Sequence, residues 1–163
     1  MNRFERQHIL PGFGKAAQEK LLQAKVLVIG AGGLGCPVLQ YLVAAGVGSV
    51  GIVDDDVVAL SNLHRQVLYN VQMIGRPKVE CAVEILQQLN PQVKFTVYNE
   101  RLTNKNATTI ISAFDVIVGE DTSIPYVYCA FLPLAHILEL AAEHMIMVRG
   151  GSIGYGSPRT LTE

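Results

Sequence analysis

Val26-Leu-Val-Ile-Gly30-Ala-Gly32-Gly33-Leu-Gly35 is the stretch that decides the fold of this chain. Four apolar residues, mostly β-branched, run into a cluster of glycines, and an apolar helical pattern from Leu34 to Gly46 follows at once. That order, strand then glycine turn then helix, is the signature of a nucleotide-binding α/β domain. Gly30 permits the tight turn, Gly32 and Gly33 let backbone approach a phosphate, and Gly35 lets the helix pack on the strand. The helix then directs its unpaired N–H groups and positive dipole end at an anion. A purely structural turn is the bland alternative, because a glycine pattern alone has low specificity.

The residues that follow bear on which nucleotide is bound. A second strand, Ser49-Val-Gly-Ile-Val53, ends in Asp54, Asp55 and Asp56. Asp54 stands where a strand-end acid would meet a ribose hydroxyl. Up to this point a dinucleotide fits as well as ATP. Arg65, Arg76 and Lys78 then offer three cations near the glycine loop. A triphosphate undergoing displacement needs such groups, because charge builds on the leaving pyrophosphate. The cations favour ATP.

Outward from this stretch, 163 residues suit one domain with a single core. A net charge of −1 offers no basic field for nucleic acid. Half the residues are apolar and the mean hydropathy is +0.30, an excess that points to a buried interface. Cys36, Cys81 and Cys129 are widely spaced, which suggests a reducing, cytoplasmic setting and predicts no zinc site. Cys36 sits near a positive helix end, which can activate a thiol, but packing is the favoured reading. His8, His64, His136 and His144 show no ligand spacing. Met1 to Arg6 is polar and unlike a secretion signal.

The pattern predicts an amphipathic helix over 12–24, with Arg3 and Arg6 solvated before it, and a helix over Pro77 to Leu89. Gln92 to Asn99 alternates as a half-exposed strand, Thr103 to Ala113 reads as a helix, and Asp115 to Val118 as a buried strand. Ile124 to Ala142 is apolar, but Pro125, Pro133, His136 and Glu139 argue against a membrane span. Leu134 to Glu143 is expected to be a helix leading into a last core strand, Met145 to Val148. A turn-rich tail follows. Residues 1–163 are thus expected to form one α/β domain: a Rossmann-like, mostly parallel sheet with helices on both faces, carrying residues 1–24 as a helical arm.

Several runs together resemble the ThiF/MoeB/HesA adenylyltransferases, relatives of the ubiquitin-activating enzymes. They are Arg3-Phe-Glu-Arg6-Gln7, the glycine loop, Ala45-Gly-Val-Gly48, Asp54 to Asp56 with Ser61-Asn62-Leu-His-Arg65-Gln66, Gly75-Arg-Pro-Lys78 and Leu89-Asn90-Pro91. They stand in family order and spacing over about the first 118 residues. The resemblance implies ATP and Mg²⁺ as cofactors, a ubiquitin-like sulfur-carrier protein as substrate partner, and a homodimer. It implies a nucleotide site made of Gly30, Gly32, Gly33, Gly35, Asp54, Asp56, Ser61, Asn62, Arg65, Gln66 and Lys78. Arg65 and Lys78 would serve catalysis, together with Arg6 reaching the phosphates of a neighbouring subunit.

After Val118 the match weakens. The family's Asp-x-Thr-Asp-Asn run stands here as Gly119-Glu120-Asp121-Thr122-Ser123. Without a gap the metal-holding acid falls on Thr122, and a one-residue slip places it on Asp121. The family's second half has no counterpart in these residues, so a fragment, a minimal form and a member without catalysis all stay open. An adenylyltransferase is the first expectation. A non-catalytic, dimerising binding protein and an NAD-dependent oxidoreductase are the rivals.

Overall fold

The computed structural model describes residues 2–119, 145–149 and 152–156. Four parallel strands form its sheet: β1 (Lys25–Ile29), β2 (Ser49–Val53), β3 (Lys94–Tyr98) and β4 (Val116–Gly119). Their order is β3-β2-β1-β4. The chain therefore steps outward from β1 to β3, then crosses back to β1's other side. Open α/β sheets bind ligands outside the carboxyl ends of their strands, near such a reversal.

Strand periodicity divides the core in two. Val26, Val28, Val50 and Ile52 face one side and pack with Leu39, Val43, Val79 and Leu86 from α3 (Gly35–Ala45) and α4 (Lys78–Leu89). Leu27, Ile29, Val53 and Ile117 face the other side and pack with Leu102 and with Ile110 of α5 (Ala107–Ile111). Alternate side chains of a strand point to opposite faces, so a continuous apolar run such as β1 needs cover on both. The expected Rossmann-like sheet with helices on both faces is what forms. Gly51 makes room on the second face, since a Cβ there would meet the Phe114 ring.

The N-terminal arm contains α1 (Glu5–His8), which the sequence pattern did not reveal, and α2 (Gly14–Gln23). Phe4 is buried against Gly46, the left-handed residue that ends α3. Arg3 Nη1 donates to the Leu89 carbonyl at 3.0 Å, at the negative end of α4. Gln18 Nε2 donates to the Ala45 carbonyl at 3.0 Å. The root of the arm is thereby fastened, while Arg6, Ile9 and Leu10 are exposed.

Three expectations need correction. The helix predicted over Thr103 to Ala113 is confined to Ala107–Ile111, because Thr103 and Asn106 form a turn of their own. In β3 the alternation is incomplete: Val97 is 45% exposed while Tyr98 packs edge-on against Phe114. Edge position explains this, since among the described residues no strand follows on that side. Finally, β5 (Met145–Arg149) does not extend the parallel sheet. It pairs antiparallel with β6 (Ser152–Gly156), a segment expected to be turns. Gly150 and Gly151 separate the two strands in sequence and lie outside the described residues. The expected helix over Leu134 to Glu143 lies outside the described residues. Among those residues, no helix is long and apolar enough to cross a membrane.

Candidate nucleotide-binding site

The glycine loop leaves β1 with Gly30 at φ +89°, a left-handed conformation that a side chain disfavours. A Cβ on Gly35 would be driven into the Gly30 carbonyl oxygen, so α3 can begin this close to β1 only with glycine there. The loop's amides then divide. Ala31 N donates to Asp54 Oδ2 at 2.7 Å and Cys36 N donates to the Gly32 carbonyl at 3.0 Å. The amides of Gly32, Gly33 and Leu34 find no acceptor among the described residues. They lie at the start of α3, where an anion is favoured.

These amides open onto a cleft of about 760 Å³. It is lined by Ile29, Gly30, Gly32, Gly33 and Leu34 from the end of β1 and the loop after it, by Val53 to Asp56 from the end of β2, by Arg65, Gln66 and Lys78, and by Glu100, Arg101 and Leu102 after β3. The segment carrying Arg65 and Gln66 lies over the glycines. A Cβ on Gly33 would touch the Arg65 Cδ at 3.5 Å, and one on Gly32 would come within 3.8 Å of Gln66 Nε2. Gln66 is buried, and its Oε1 has no partner among the described residues. A buried amide oxygen without a partner is costly, and a ligand or ordered water in the cleft would relieve it.

Asp54 has both oxygens engaged by backbone, since its Oδ1 also accepts from Asp56 N at 2.8 Å. The carboxylate thus shapes the loop, and each oxygen keeps a lone pair for a hydroxyl. Asp56 Oδ2 pairs with Lys78 Nζ at 2.7 Å. Lys78 is 4% exposed at its side chain and Asp56 70%, so a buried ammonium is paired with a counter-ion that largely faces solvent.

The other residues expected at the site are placed as follows. Ser61 and Asn62 do not line the cleft; they sit in a 3₁₀ turn (Leu60–Asn62) whose carbonyls hold Arg65 and Gln66. Arg6 is exposed on α1 and is not part of the cleft of its own chain. Asp121 lies outside the described residues. Arg76 is a correction: its guanidinium turns away to Glu84 at 2.7 Å, and it does not line the cleft.

Sequence reasoning missed Arg101 and Glu100. They lie just past β3, and the rule that parallel strand ends converge on the ligand could have found them. Among the described residues the cleft therefore holds three cations, Arg65, Lys78 and Arg101, against four carboxylates. Cys36 is fully buried in the core, and burial pushes its thiol up to about 11, away from the thiolate. Packing, as expected, is its role.

The ThiF family model matches residues 4–120. The chain belongs to the ThiF family. It is 52% identical over 128 residues to the sulfur carrier protein adenylyltransferase of Thermus thermophilus, covering 78% of this chain and 47% of that one. It is 46% identical over 126 residues to the adenylyltransferase and sulfurtransferase MOCS3 of Arabidopsis thaliana, covering 77% and 27%. The chain spans between about a quarter and a half of the curated relatives it matches. Among solved structures, E. coli TcdA, a tRNA N6-threonylcarbamoyladenosine dehydratase, in complex with ATP matches with a TM-score of 0.65. The identity is 26%, covering 67% of this chain and 45% of that one. E. coli MccB with AMPCPP and MccA matches at 0.65 and 27% identity, covering 72% and 36%. This ThiF-family membership agrees with the resemblance read from the motifs.

Proposed function

We propose that this chain is the nucleotide half of an enzyme that adenylates the C-terminal glycine of a ubiquitin-like sulfur-carrier protein. The observation that carries this reading is the cleft at the carboxyl ends of β1, β2 and β3. Free loop amides, Arg65, Gln66 and Lys78 converge there, in a chain 52% identical to a sulfur carrier protein adenylyltransferase. In the reaction, the carrier's terminal carboxylate attacks the α-phosphorus of ATP, an acyl-adenylate forms, and pyrophosphate leaves. A carboxylate is ionised near pH 7, so no general base is required. The protein's work is alignment and charge neutralisation, which suits a site without a Ser-His-Asp set. In this role Gly32 and Gly33 approach a phosphate, Arg65, Gln66 and Lys78 face the charged groups, and Asp54 meets the ribose.

Three cations facing four carboxylates cannot by themselves neutralise a triphosphate. That imbalance supports a homodimer in which Arg6 of a second copy enters the cleft, and it supports Mg²⁺. Among the described residues, no cluster of three or more acids, histidines or cysteines could hold a metal. Asp54 is engaged by two amides and Asp56 by Lys78, so neither fits the ion as a dedicated ligand. Asp121, outside the described residues, is the proposed ligand. When bound, the ion would offset phosphate charge with its waters and one or two carboxylates.

Carrier-dependent exchange of pyrophosphate into ATP tests the reading. We expect exchange with a carrier ending in glycine and its loss by about 10²–10³-fold in Arg65→Ala. ATP binding without exchange would favour a non-catalytic binding protein. Heat from NAD and none from ATP in calorimetry would favour an oxidoreductase domain.

A further inference from the structure

Ala31 is held from three sides, and two of those holds fall on the carbonyl of the peptide that links it to Gly32. Ala31 N is bound by Asp54 Oδ2 at 2.7 Å. The Ala31 carbonyl accepts from Tyr69 Oη at 2.9 Å and lies 3.4 Å from Cys36 Sγ. Ala31 is fully buried, and Tyr69 is 6% exposed. In a planar trans peptide the carbonyl and the following N–H point in opposite directions. A carbonyl fixed inward on Tyr69 therefore fixes the Gly32 N–H outward, and Gly32 lines the cleft. Glycine at 32 is what would otherwise let this peptide turn over, because φ is nearly unrestricted there.

We propose that Tyr69 is a positioning residue: its hydroxyl keeps the Ala31–Gly32 peptide from flipping and so holds the Gly32 amide toward the nucleotide's phosphates. The proposal rests on the nucleotide-binding reading of the cleft. Tyr69 suits the task in two further ways. Its amide donates to the Gln66 carbonyl at 3.1 Å, so the hydroxyl ties the Arg65–Gln66 segment to the loop it covers. Burial also pushes its phenol far above the usual range, with the nearby Cys36 and Asp54 adding to the effect, so the hydroxyl keeps its proton to donate. Cys36 contributes a weaker, longer second donor.

A merely structural tyrosine, whose buried hydroxyl has simply found a partner, predicts something different. Removing its hydroxyl would lower the melting temperature and weaken every cleft ligand alike. The experiment compares the whole chain with Tyr69→Phe, measuring melting without ligand and binding of ATP, inorganic pyrophosphate and adenosine, the last by competition. We expect Tyr69→Phe to weaken ATP and pyrophosphate by about five- to tenfold, the loss of one hydrogen bond to a buried acceptor. Adenosine should stay within about twofold of the parent. A double variant with Cys36→Ala leaves the Ala31 carbonyl without a side-chain donor and should weaken ATP further. Should that variant fail to fold, Tyr69→Phe alone decides. Unchanged ATP binding in Tyr69→Phe overturns the proposal, as does an equal loss for ATP and adenosine. A parent chain that binds no ATP overturns the nucleotide reading itself, and the proposal with it.

Discussion

The two walls of the cleft are built in different ways. On the wall of β1 and β2, several separate contacts do the holding: Asp54 takes the Ala31 amide, Tyr69 the Ala31 carbonyl, and Lys78 the Asp56 carboxylate. On the wall past β3, a single half-buried side chain does the holding. Asn106 Nδ2 donates to Glu100 Oε2 at 2.7 Å and to the Arg101 carbonyl at 3.0 Å, while its Oδ1 accepts from Thr103 N at 2.7 Å. One wall is over-determined and the other depends on one hub. Phosphate chemistry needs donors fixed before the reaction, because reorganising them at that moment raises the barrier. A wall that only receives the rest of the nucleotide can be looser.

The largest effect should come from breaking the over-determined wall at its tightest point. Gly35→Ala places a methyl group on the Gly30 carbonyl oxygen, and both atoms belong to backbone that cannot swing aside. We expect about 3 kcal/mol of lost stability, together with loss of measurable ATP binding. Chemical denaturation beside calorimetry checks both. A variant that melts and binds like the parent would mean that the loop is far softer than its contacts indicate.

Lys78 and Asp56 come next, and they should separate function from stability. Lys78→Met removes a cleft cation and should slow adenylation by about 10²–10³-fold with little loss of stability, since the Asp56 left behind faces solvent. Asp56→Asn leaves a buried ammonium without its carboxylate and should cost about 1–2 kcal/mol. That lies below the figure for fully buried pairs because Asp56 largely faces solvent. Urea denaturation and pyrophosphate exchange on both variants give the comparison. Equal stability losses would show that the pair shares its burial more evenly than the exposures imply.

These two predictions rest on parts of the molecule that were unequally visible in the sequence. The glycine loop was legible because its requirements are local and steric: a strand, a left-handed turn, a helix start. The two-sided core followed from the continuous apolar runs of β1 and β2, whereas the strand order rests on long-range pairing that no local pattern displays. Arg76 and Lys78 were not separable in the same way. They stand two residues apart, but Pro77 caps α4 and the chain turns into the helix at Lys78, so their side chains leave in different directions. Arg101 was open to the rule on strand ends, whereas Asn106 was invisible because Asn104-Lys105-Asn106 has the composition of any polar turn.

Breaking the hub of the second wall should have a moderate effect. Asn106→Ala frees Glu100 and Arg101 together and removes the acceptor that organises Thr103 before α5. We expect about 1 kcal/mol of lost stability. The KM for ATP should rise about threefold with kcat nearly unchanged, since uniform binding and not transition-state contact is lost. A fall in kcat of similar size would place Arg101 or Glu100 among the groups that act on the reacting phosphates, and the two walls would then differ less than their bonding implies.

The smallest effect is expected at Arg76, and it is informative because it is small. Arg76 sits two residues from Lys78 and makes an equally short contact with a carboxylate, Glu84 Oε2 at 2.7 Å. Both partners are nearly half exposed, so water and salt screen the pair, and its charge points away from the cleft. Arg76→Ala should leave the ATP dissociation constant within about twofold and the melting temperature within about 2 °C of the parent. Isothermal titration at low and high salt makes the test strict. A cation acting on the phosphates would show a loss of affinity that grows as salt falls, whereas a solvated surface pair shows none. A tenfold loss at low salt would return Arg76 to the site and mean that it swings from Glu84 to the nucleotide on binding.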